Sequence, residues 1–260
     1  MGTNLQDRYK VPVISQAPSK LSLLKDCTFL KGYNPCLEKW ESQPAINKGG
    51  CSSNGVSLAI TKKAKNSSNG NTNLLIAGWP AYCNSYYPNY FENATAGLNH
   101  WTWLMLKAEF RNNAGSVTLR SADPQDVPEI RKRNFAVGGD EDLDALLEGL
   151  KYGRQSFKDL IPLDGRFEEV WPGSHVKTDA QLRDFARHEA WGHHASCTCP
   201  IGAEDDANVV LDGNFKVRGV DGLRVVDASS FPKIPGTYLA LPIHMISEKA
   251  SDVILADVHP

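Results

Sequence analysis

The densest run of chemically capable side chains lies at residues 188–199, which read His-Glu-Ala-Trp-Gly-His-His-Ala-Ser-Cys-Thr-Cys. The candidate metal ligands in it are His193, His194, Cys197 and Cys199. Structural zinc sites use two separated pairs of ligands, with about two to four residues inside each pair. A single run would instead turn adjacent side chains to opposite sides of an extended backbone. The spacing therefore argues against a metal, and it leaves either acid–base chemistry by a histidine or simple packing in a loop or core.

A second segment with chemical potential covers residues 219–232, Gly-Val-Asp-Gly-Leu-Arg-Val-Val-Asp-Ala-Ser-Ser-Phe-Pro. It predicts a turn and then a buried strand at 223–226, with Asp227 at the carboxyl end of that strand. Ligands of open α/β sheets bind beyond the carboxyl ends of the strands, so this carboxylate is well placed for a ribose or ribitol hydroxyl. A final helix is predicted at about 240–256, with Pro242 near its first turn. Its N-terminus would offer free N–H groups to an anion.

The elements that must position these groups begin with strands. Alternating apolar residues predict a half-buried strand at 56–60, and an apolar run predicts a central strand at 74–76. The Lys/Asn/Ser/Gly-rich stretch 61–73 between them predicts an exposed loop. Residues 104–110 and 116–120 are expected to form a strand pair, because an Asn-Asn-Ala-Gly turn joins them.

Helices follow the strands in the chain. Asp140 is a plausible N-cap for a helix whose buried side is predicted from helical spacing of Leu143, Leu146, Leu147, Leu150 and Phe157. Thr178 to Gln181 have the form of a capping box before a short helix that buries Leu182 and Phe185. Strands first and helices afterwards indicate an α+β fold, with the last strand and helix in a different layer.

Composition excludes several classes of partner. The chain has 260 residues and a net charge of −2, so we expect no broad basic surface for nucleic acid. No apolar stretch approaches the roughly 18 residues that span a bilayer, so no membrane partner is expected. Of six cysteines, Cys27 and Cys36 are close enough in sequence to bridge, although the sequence does not assign the pairing. Sequons at Asn66 and Asn93 favour secretion over a cytoplasmic location.

The order of the motifs along the chain resembles one enzyme family. His-x-x-x-x-Cys ends at Cys199, the 219–232 segment follows, and Ile-x-Glu-Lys-Ala-x-Asp-x-Ile covers 246–254. Near the start, residues 2–7 read Gly-Thr-Asn-Leu-Gln-Asp, and residues 115–124 read Gly-Ser-Val-Thr-Leu-Arg-Ser-Ala-Asp-Pro. This set resembles the glucose–methanol–choline (GMC) flavin oxidoreductases, of fungal type, and the matches span nearly the whole chain.

The resemblance implies an FAD enzyme that oxidises an alcohol or sugar hydroxyl by hydride transfer to the flavin. Five residues before Cys199, the catalytic histidine of the family falls on His194. Its implied role is to take the hydroxyl proton as the hydride leaves, which suits an imidazole that titrates near neutrality. The neighbouring His193 is expected to make a supporting hydrogen bond, and His244 is expected to be structural.

The second catalytic position of the family departs from the pattern. It lies eleven residues after Asp227, where the family has histidine or asparagine, and it is Tyr238 in this chain. A phenol can donate a hydrogen bond but is a poor base at neutral pH. Tyr238 therefore either positions the substrate in an active enzyme, or marks a chain with impaired alcohol oxidation, or packs against the flavin and lines the pocket.

The resemblance also implies the flavin contacts. Asp227 and Ala228 would meet the ribityl–pyrophosphate part of FAD, and Tyr238, Leu239 and Ala240 would lie by the pyrimidine edge of the flavin. The helix N-terminus there would favour the negative charge of the reduced ring.

Three parts are implied for the chain. Residues 1–14 would be a remnant of the FAD-binding domain, 15–205 an antiparallel-sheet substrate domain flanked by helices, and 206–260 a strand–helix segment that completes the α/β FAD-binding domain. No Gly-x-Gly-x-x-Gly turn between a strand and a helix occurs in the sequence. We therefore expect the N-terminal dinucleotide-binding half to be missing, with weak or no FAD binding, no activity of this chain alone and some exposed apolar surface.

Two classes of function remain open. The first is a catalytic half of an FAD-dependent oxidoreductase, favoured by His194 and Asp227. The second is a non-catalytic binding or structural domain, favoured by Tyr238 and the missing half. The substrate stays open beyond an alcohol or sugar, as does the choice between oxidase and dehydrogenase. Several aromatic residues could line a pocket, although core packing is expected for most: Tyr86, Tyr87, Tyr90, Trp101 and Trp103.

Overall fold

A computed structural model describes residues 1–258 except 25, 26, 29–31, 45, 47, 53, 54, 68, 69 and 161–163. These residues form seven strands and five α-helices: β1 (Lys10–Gln16), α1 (Pro35–Ser42), β2 (Leu58–Lys62), β3 (Leu74–Trp79), α2 (Tyr90–Ala96), β4 (His100–Lys107), β5 (Ser116–Thr118), β6 (Glu129–Arg131), α3 (Gly139–Asp159), β7 (Glu168–Trp171), α4 (Asp179–Glu189) and α5 (Ala240–Val258). Within the described ranges, none of the helices is long and apolar enough to cross a membrane.

The chain divides into two compact units. The sheet unit comprises Lys10–Leu106 and Leu143–Trp191, and the loop-rich unit comprises Met1–Tyr9, Lys107–Asp142 and Gly192–Pro260. The three functional parts expected from the sequence, with boundaries after residues 14 and 205, stay a prediction.

The sheet unit is built on a five-stranded sheet in the order β2-β3-β4-β1-β7. The register shows β1 running antiparallel to β4 and to β7, and β2 antiparallel to β3. The strand predicted at 74–76 is confirmed as the start of β3, whose apolar residues suit a position inside the sheet. The strand predicted at 56–60 is also present, although it begins at Leu58. The α+β prediction of an antiparallel sheet accompanied by helices is confirmed.

The predicted pairing of 104–110 with 116–120 is wrong. β4 pairs along its length with β1, and β5 pairs with β6 in a separate two-stranded sheet. β1 offers seven residues that are buried except for the last, so β4 gains far more buried area there than against the three-residue β5. Leu119 directly follows β5 and is 82% exposed.

The long helix α3 buries three of the five expected side chains and leaves Leu147 and Phe157 half-buried, and it begins earlier than predicted. It starts at Gly139, so Asp140 lies in the first turn and is not the N-cap. A carboxylate in the first turn still interacts favourably with the helix dipole. The fully buried leucines are Leu143, Leu146 and Leu150.

Helix α4 follows its predicted start in detail. The Thr178 side chain accepts a hydrogen bond from the Gln181 N–H at 3.2 Å, and the Gln181 side chain accepts one from the Thr178 N–H at 3.0 Å. This reciprocal arrangement is the predicted capping box. Leu182 is buried and Phe185 is half-buried, as its apolar spacing predicts.

The predicted loop 61–73 connects β2 and β3, but its first two residues belong to β2 and its other described residues are not all exposed. Ala64 is fully buried and packs with Leu74 and Ala145. The buried Asn73 side chain accepts a hydrogen bond from the Ala64 N–H at 2.8 Å. A small apolar residue and a capping amide therefore anchor the loop to the sheet unit.

The cysteines and sequons of the sheet unit have definite positions. Cys27 and Cys36 form a disulfide with Cα atoms 5.1 Å apart, which settles the pairing that the sequence leaves open. Asn93 is exposed on α2. The other sequon begins at Asn66, and its third residue lies outside the described residues.

In the loop-rich unit, the strand predicted at 223–226 is wrong: the described residues form no regular strand there. Instead, the Val217 N–H donates to the Leu223 carbonyl at 2.9 Å, and the Val225 N–H donates to the Phe215 carbonyl at 3.1 Å. Positive φ angles at Gly219 (76°) and Gly222 (75°) fold the chain back onto this local partner. The segment is therefore an irregular hairpin rather than part of a sheet.

The predicted final helix is confirmed as α5. It packs part of its first turn into a cluster that includes Cys197, Ile234 and Leu239. Other apolar side chains of α5 are exposed, in agreement with the expected exposed apolar surface: Leu241, Met245, Ile254, Leu255 and Val258.

Candidate active site

His194 lies in an extended segment of the loop-rich unit. This segment pairs with the N-terminal motif: the Gln6 N–H donates to the Ser196 carbonyl at 3.1 Å, and the Ser196 N–H donates back to the Gln6 carbonyl at 3.0 Å. The His194 side chain is 8% exposed, and its backbone N–H donates to Asp7 Oδ1 at 2.8 Å. The imidazole is therefore held on a fixed backbone with little solvent around it.

Tyr238 faces His194. Their ring centroids are 5.7 Å apart and the planes meet at 74°, an edge-to-face arrangement. Tyr238 is 37% exposed, and its partial burial raises the pKa of the phenol above the ordinary value of 10.0. The phenol is therefore protonated at neutral pH, and it can donate a hydrogen bond but cannot act as a base.

The neighbouring histidines take different positions. His193 is exposed, and its ring meets that of His194 at 86° with centroids 4.8 Å apart. Its supporting role stays a prediction. His244 is exposed on α5, six residues after Tyr238 in the sequence. Of the two, His193 is the one that contacts the His194 ring.

Asp7 fixes the His194 segment, and sequence reasoning assigned it no role. Its Oδ1 accepts from the backbone N–H groups of Arg8 at 2.7 Å and of His194 at 2.8 Å. Its Oδ2 is 3.3 Å from Lys132 Nζ. A Cβ on Gly192 would lie 2.6 Å from Asp7 Cγ, so the close approach of the two segments requires glycine. The signal in the sequence is the position of Asp7 at the end of the 2–7 motif, which contributes to the family resemblance.

Gln6 and Asn4 fix the loop that leads to Tyr238. The Gln6 carboxamide donates to the Pro232 carbonyl at 3.4 Å and accepts from the Ile234 N–H at 3.1 Å. Asn4 Nδ2 donates to the Cys197 carbonyl at 3.1 Å and to the Pro232 carbonyl at 3.2 Å. One short motif therefore contacts both segments that carry the predicted catalytic side chains.

Arg8 adds a further link to the same loop. Its Nη2 donates to the Pro235 carbonyl and its Nε donates to the Ala108 carbonyl at 3.1 Å. The side chain is fully buried. Burial lowers the pKa of its guanidinium to about 10, which leaves it charged at neutral pH.

Asp227 and Ala228 lie beside the His194 segment. The Cys197 N–H donates to the Ala228 carbonyl at 3.1 Å, and the Cys199 N–H donates to the Ser229 carbonyl at 2.8 Å. Asp227 is exposed and caps the short 3₁₀ helix Ala228–Ser230, with its Oδ1 accepting from the Ser229 N–H at 2.7 Å. The carboxylate thus caps the start of a 3₁₀ helix and does not follow a sheet strand as predicted.

The Cys197 thiol stays protonated at neutral pH. Burial raises the pKa of Cys197 to about 11, and Cys199 is also buried. Within the described part of the chain, no group of three or more His, Cys, Asp or Glu side chains has the arrangement of a metal site.

Comparison with known proteins identifies the family. The C-terminal profile described as GMC oxidoreductase matches residues 111–247. The mitochondrial choline dehydrogenase of Mus musculus is 37% identical over 143 residues, which are 55% of this chain and 24% of that enzyme. The oxygen-dependent choline dehydrogenase of Brucella ovis is 41% identical over 142 residues, 54% of this chain and 26% of that enzyme.

A solved structure shares the fold over nearly the whole chain. The formate oxidase of Aspergillus oryzae RIB40 superposes with a TM-score of 0.78 and 20% identity, covering 98% of this chain and 47% of that one. The chain thus spans about half the length of this structural neighbour, and the aligned part is about a quarter of each choline dehydrogenase. The resemblance read from the motifs is confirmed, while its fungal type stays a prediction. The profile match over residues 111–247 shows that the chain belongs to the GMC oxidoreductase family.

Proposed function

We propose that this chain is the substrate-side part of an FAD-dependent oxidoreductase that oxidises a hydroxyl group of an alcohol or a sugar. The observation that carries the proposal is the meeting of His194 and Tyr238. A nearly buried imidazole and a protonated phenol stand edge to face, 5.7 Å apart, on segments that one motif holds together. The relatives named choline dehydrogenase and the neighbour named formate oxidase support an oxidation of a small molecule.

The chain supplies the acid–base part of the reaction. His194, in its neutral form, takes the proton of the substrate hydroxyl, and the electron density left on that oxygen favours departure of a hydride from the carbinol carbon. FAD, when bound, supplies the acceptor for that hydride. The protonated Tyr238 phenol donates a hydrogen bond to the substrate oxygen and orients it toward the imidazole. His193 supports the His194 ring from its exposed side.

The residues present fit an FAD molecule. The exposed Asp227 carboxylate, of which Oδ1 bonds to the Ser229 N–H, can accept hydrogen bonds from ribityl hydroxyls. α5 begins two residues after Tyr238 and has no acidic residue in its first turn, so its N-terminus favours an anionic ring. We assign Asp227 and Ala228 to the ribityl–pyrophosphate part, and Tyr238, Leu239 and Ala240 to the pyrimidine edge.

A flavin titration tests the cofactor part of the proposal. The 260-residue chain is titrated with FAD while visible absorbance and flavin fluorescence are followed, and Asp227→Ala and His194→Ala are measured alongside. We expect weak binding that Asp227→Ala weakens further and His194→Ala leaves unchanged. Equal binding by the wild-type and Asp227→Ala chains would remove Asp227 from the flavin site.

A dye-coupled assay tests the reaction. The flavin-loaded protein that carries this chain is given choline, an aryl alcohol and a sugar with an artificial electron acceptor. We expect oxidation of at least one donor, and a loss in kcat of about 10²- to 10⁴-fold on His194→Ala. If the loaded protein oxidises none of these hydroxyl donors, the second function class, a non-catalytic binding domain, would take its place.

A further inference from the structure

We propose that residues 4–8 form one positioning element that sets the distance between His194 and Tyr238, with Asp7 acting on the His194 backbone and Gln6 on the Tyr238 loop. These residues do not contact the reacting atoms, so they act through the two residues they hold. The effect of this element on catalysis rests on the proposed function, whereas the positioning of the two side chains is a property of the folded chain.

The first half of the element acts on His194 directly. The Asp7 carboxylate accepts the N–H of His194 itself, at 2.8 Å, so any rotation of that peptide would break the bond. The same oxygen accepts the Arg8 N–H, and Lys132 pairs with the other oxygen at 3.3 Å. Gly192 closes the arrangement, because its missing side chain leaves room for the carboxylate.

The second half acts on the approach to Tyr238. Gln6 Nε2 donates both to Asn4 Oδ1 at 2.9 Å and to the Pro232 carbonyl, while its Oε1 accepts the Ile234 N–H. Donor and acceptor atoms of one side chain therefore hold the loop at two points, six and four residues before Tyr238. The Arg8 guanidinium holds it at a third point, the Pro235 carbonyl.

Burial argues for this role over simple packing. Gln6 is 5%, Asp7 8% and Arg8 0% exposed. Burying polar groups costs free energy that hydrogen bonds only offset, so apolar side chains would fill the same space at lower cost. Directional bonds, in contrast with apolar contacts, hold two backbone segments in a defined register. Three consecutive buried polar side chains that all bond to these segments are therefore best explained by positioning.

The test measures the ring geometry by NMR. The 260-residue chain is labelled with ¹³C,¹⁵N-histidine, and the His194 ring signals are assigned by their loss in His194→Ala. Tyr238→Leu removes the ring current that Tyr238 exerts on them and so defines the shift that reports contact. We expect Asp7→Ala and Gln6→Ala to move the His194 signals toward the Tyr238→Leu position.

Matched variants separate positioning from stability. Asp7→Asn retains an oxygen that can accept from the N–H groups of Arg8 and His194, so it should keep the wild-type His194 signals. Gln6→Glu retains the oxygen that accepts from the Ile234 N–H but loses both hydrogen bonds that the Gln6 Nε2 donates, so it should move the His194 signals. Asn99→Ala is the control, since Asn99 donates to the Ala17 carbonyl at 2.9 Å in the sheet unit. It should lower Tm without moving the His194 signals. If Asp7→Ala or Gln6→Ala does not fold, the His194 signals of Asp7→Asn and Gln6→Glu test the positioning role in their place.

The kinetic readout distinguishes this proposal from the proposed function. In the flavin-loaded protein we expect Gln6→Glu to lower kcat about tenfold to a hundredfold with little change in KM. Unmoved His194 signals in Asp7→Ala, Gln6→Ala and Gln6→Glu, with Tm losses like that of Asn99→Ala, would overturn the positioning role. Moved signals in a protein that oxidises no hydroxyl donor would keep the positioning role and overturn only the proposed function.

Discussion

The rings of His194 and Tyr238 pack edge to face, with their planes at 74° and their centroids 5.7 Å apart. Two side chains that lie 44 positions apart in the sequence thus form one contact inside the loop-rich unit. The pairing joins an imidazole, whose ring nitrogens can accept or donate a proton, to a phenol that retains its proton at neutral pH.

Replacement of Tyr238 tests this division of roles. Tyr238→Phe keeps the ring and removes the donor, so we expect kcat/KM of the flavin-loaded protein to fall about tenfold, the worth of one hydrogen bond of roughly 1.4 kcal/mol. Because burial raises the pKa of the phenol, the wild-type protein should show no loss of activity from Tyr238 ionisation up to about pH 9. A basic limb near pH 8 that disappears in Tyr238→Phe would show that the phenol titrates lower than the structure indicates.

Gly192 should not tolerate a side chain. A Cβ there would lie 2.6 Å from the Arg8 carbonyl oxygen and 2.6 Å from Asp7 Oδ1. The backbone oxygen cannot move aside, so we expect Gly192→Ala to lower the free energy of unfolding by about 1–3 kcal/mol, measured by urea denaturation. Gly213→Ala is the control, because a Cβ at Gly213 meets nothing within 4 Å. Equal stability of the two variants would contradict the close approach of Gly192 and Asp7.

The buried ion pair Lys107–Asp142 should be costly to break on one side. The two side chains are 1% and 0% exposed and 2.9 Å apart. Asp142→Ala would remove the carboxylate partner of the buried Lys107 ammonium and leave its bond to the Glu109 carbonyl, and we expect a loss of about 3–5 kcal/mol in the free energy of unfolding. The double variant Lys107→Met with Asp142→Leu should recover most of it.

An exposed pair provides the comparison for this prediction. Lys151 and Asp179 lie 2.9 Å apart with side chains 55% and 59% exposed. Lys151→Ala should change the free energy of unfolding by less than about 1 kcal/mol, because water screens the pair. A similar loss for Asp142→Ala and Lys151→Ala would show that the Lys107 pair is hydrated in solution.

The free cysteines should differ in reactivity toward a thiol reagent. Burial raises the pKa of Cys197 to about 11 and that of Cys83 to about 12, so at pH 8 both are thiols rather than reactive thiolates. Cys51 is half-buried. We expect iodoacetamide at pH 8 to alkylate Cys51 first, with the buried cysteines labelled only in denaturant, as read by mass spectrometry. Labelling of Cys197 in the native chain at the rate of Cys51 would refute this order, and Cys51→Ser should remove the fast phase.

Local features of this protein follow from the sequence alone. The capping box at Thr178, the buried face of α3 and the extent of α5 depend on residues within a few positions of each other, so their patterns suffice to predict them. Family membership also follows, because the motifs keep their order and spacing along the chain. These motifs led to His194 and Tyr238, which the structure places in contact.

Tertiary structure alone decided which strands pair and which distant residues form hydrogen bonds with one another. β4 pairs with β1, about ninety positions earlier, because buried area and not sequence proximity selects the neighbour of a strand. The segment after Gly222 returns to a local partner, because the turn geometry overrides its apolar strand pattern. Asp7 reaches the His194 N–H across 187 positions, and Gln6 reaches the Ile234 N–H across 228. A hydrogen bond between such distant residues leaves no periodicity in the sequence, since its geometry exists only once the chain has folded.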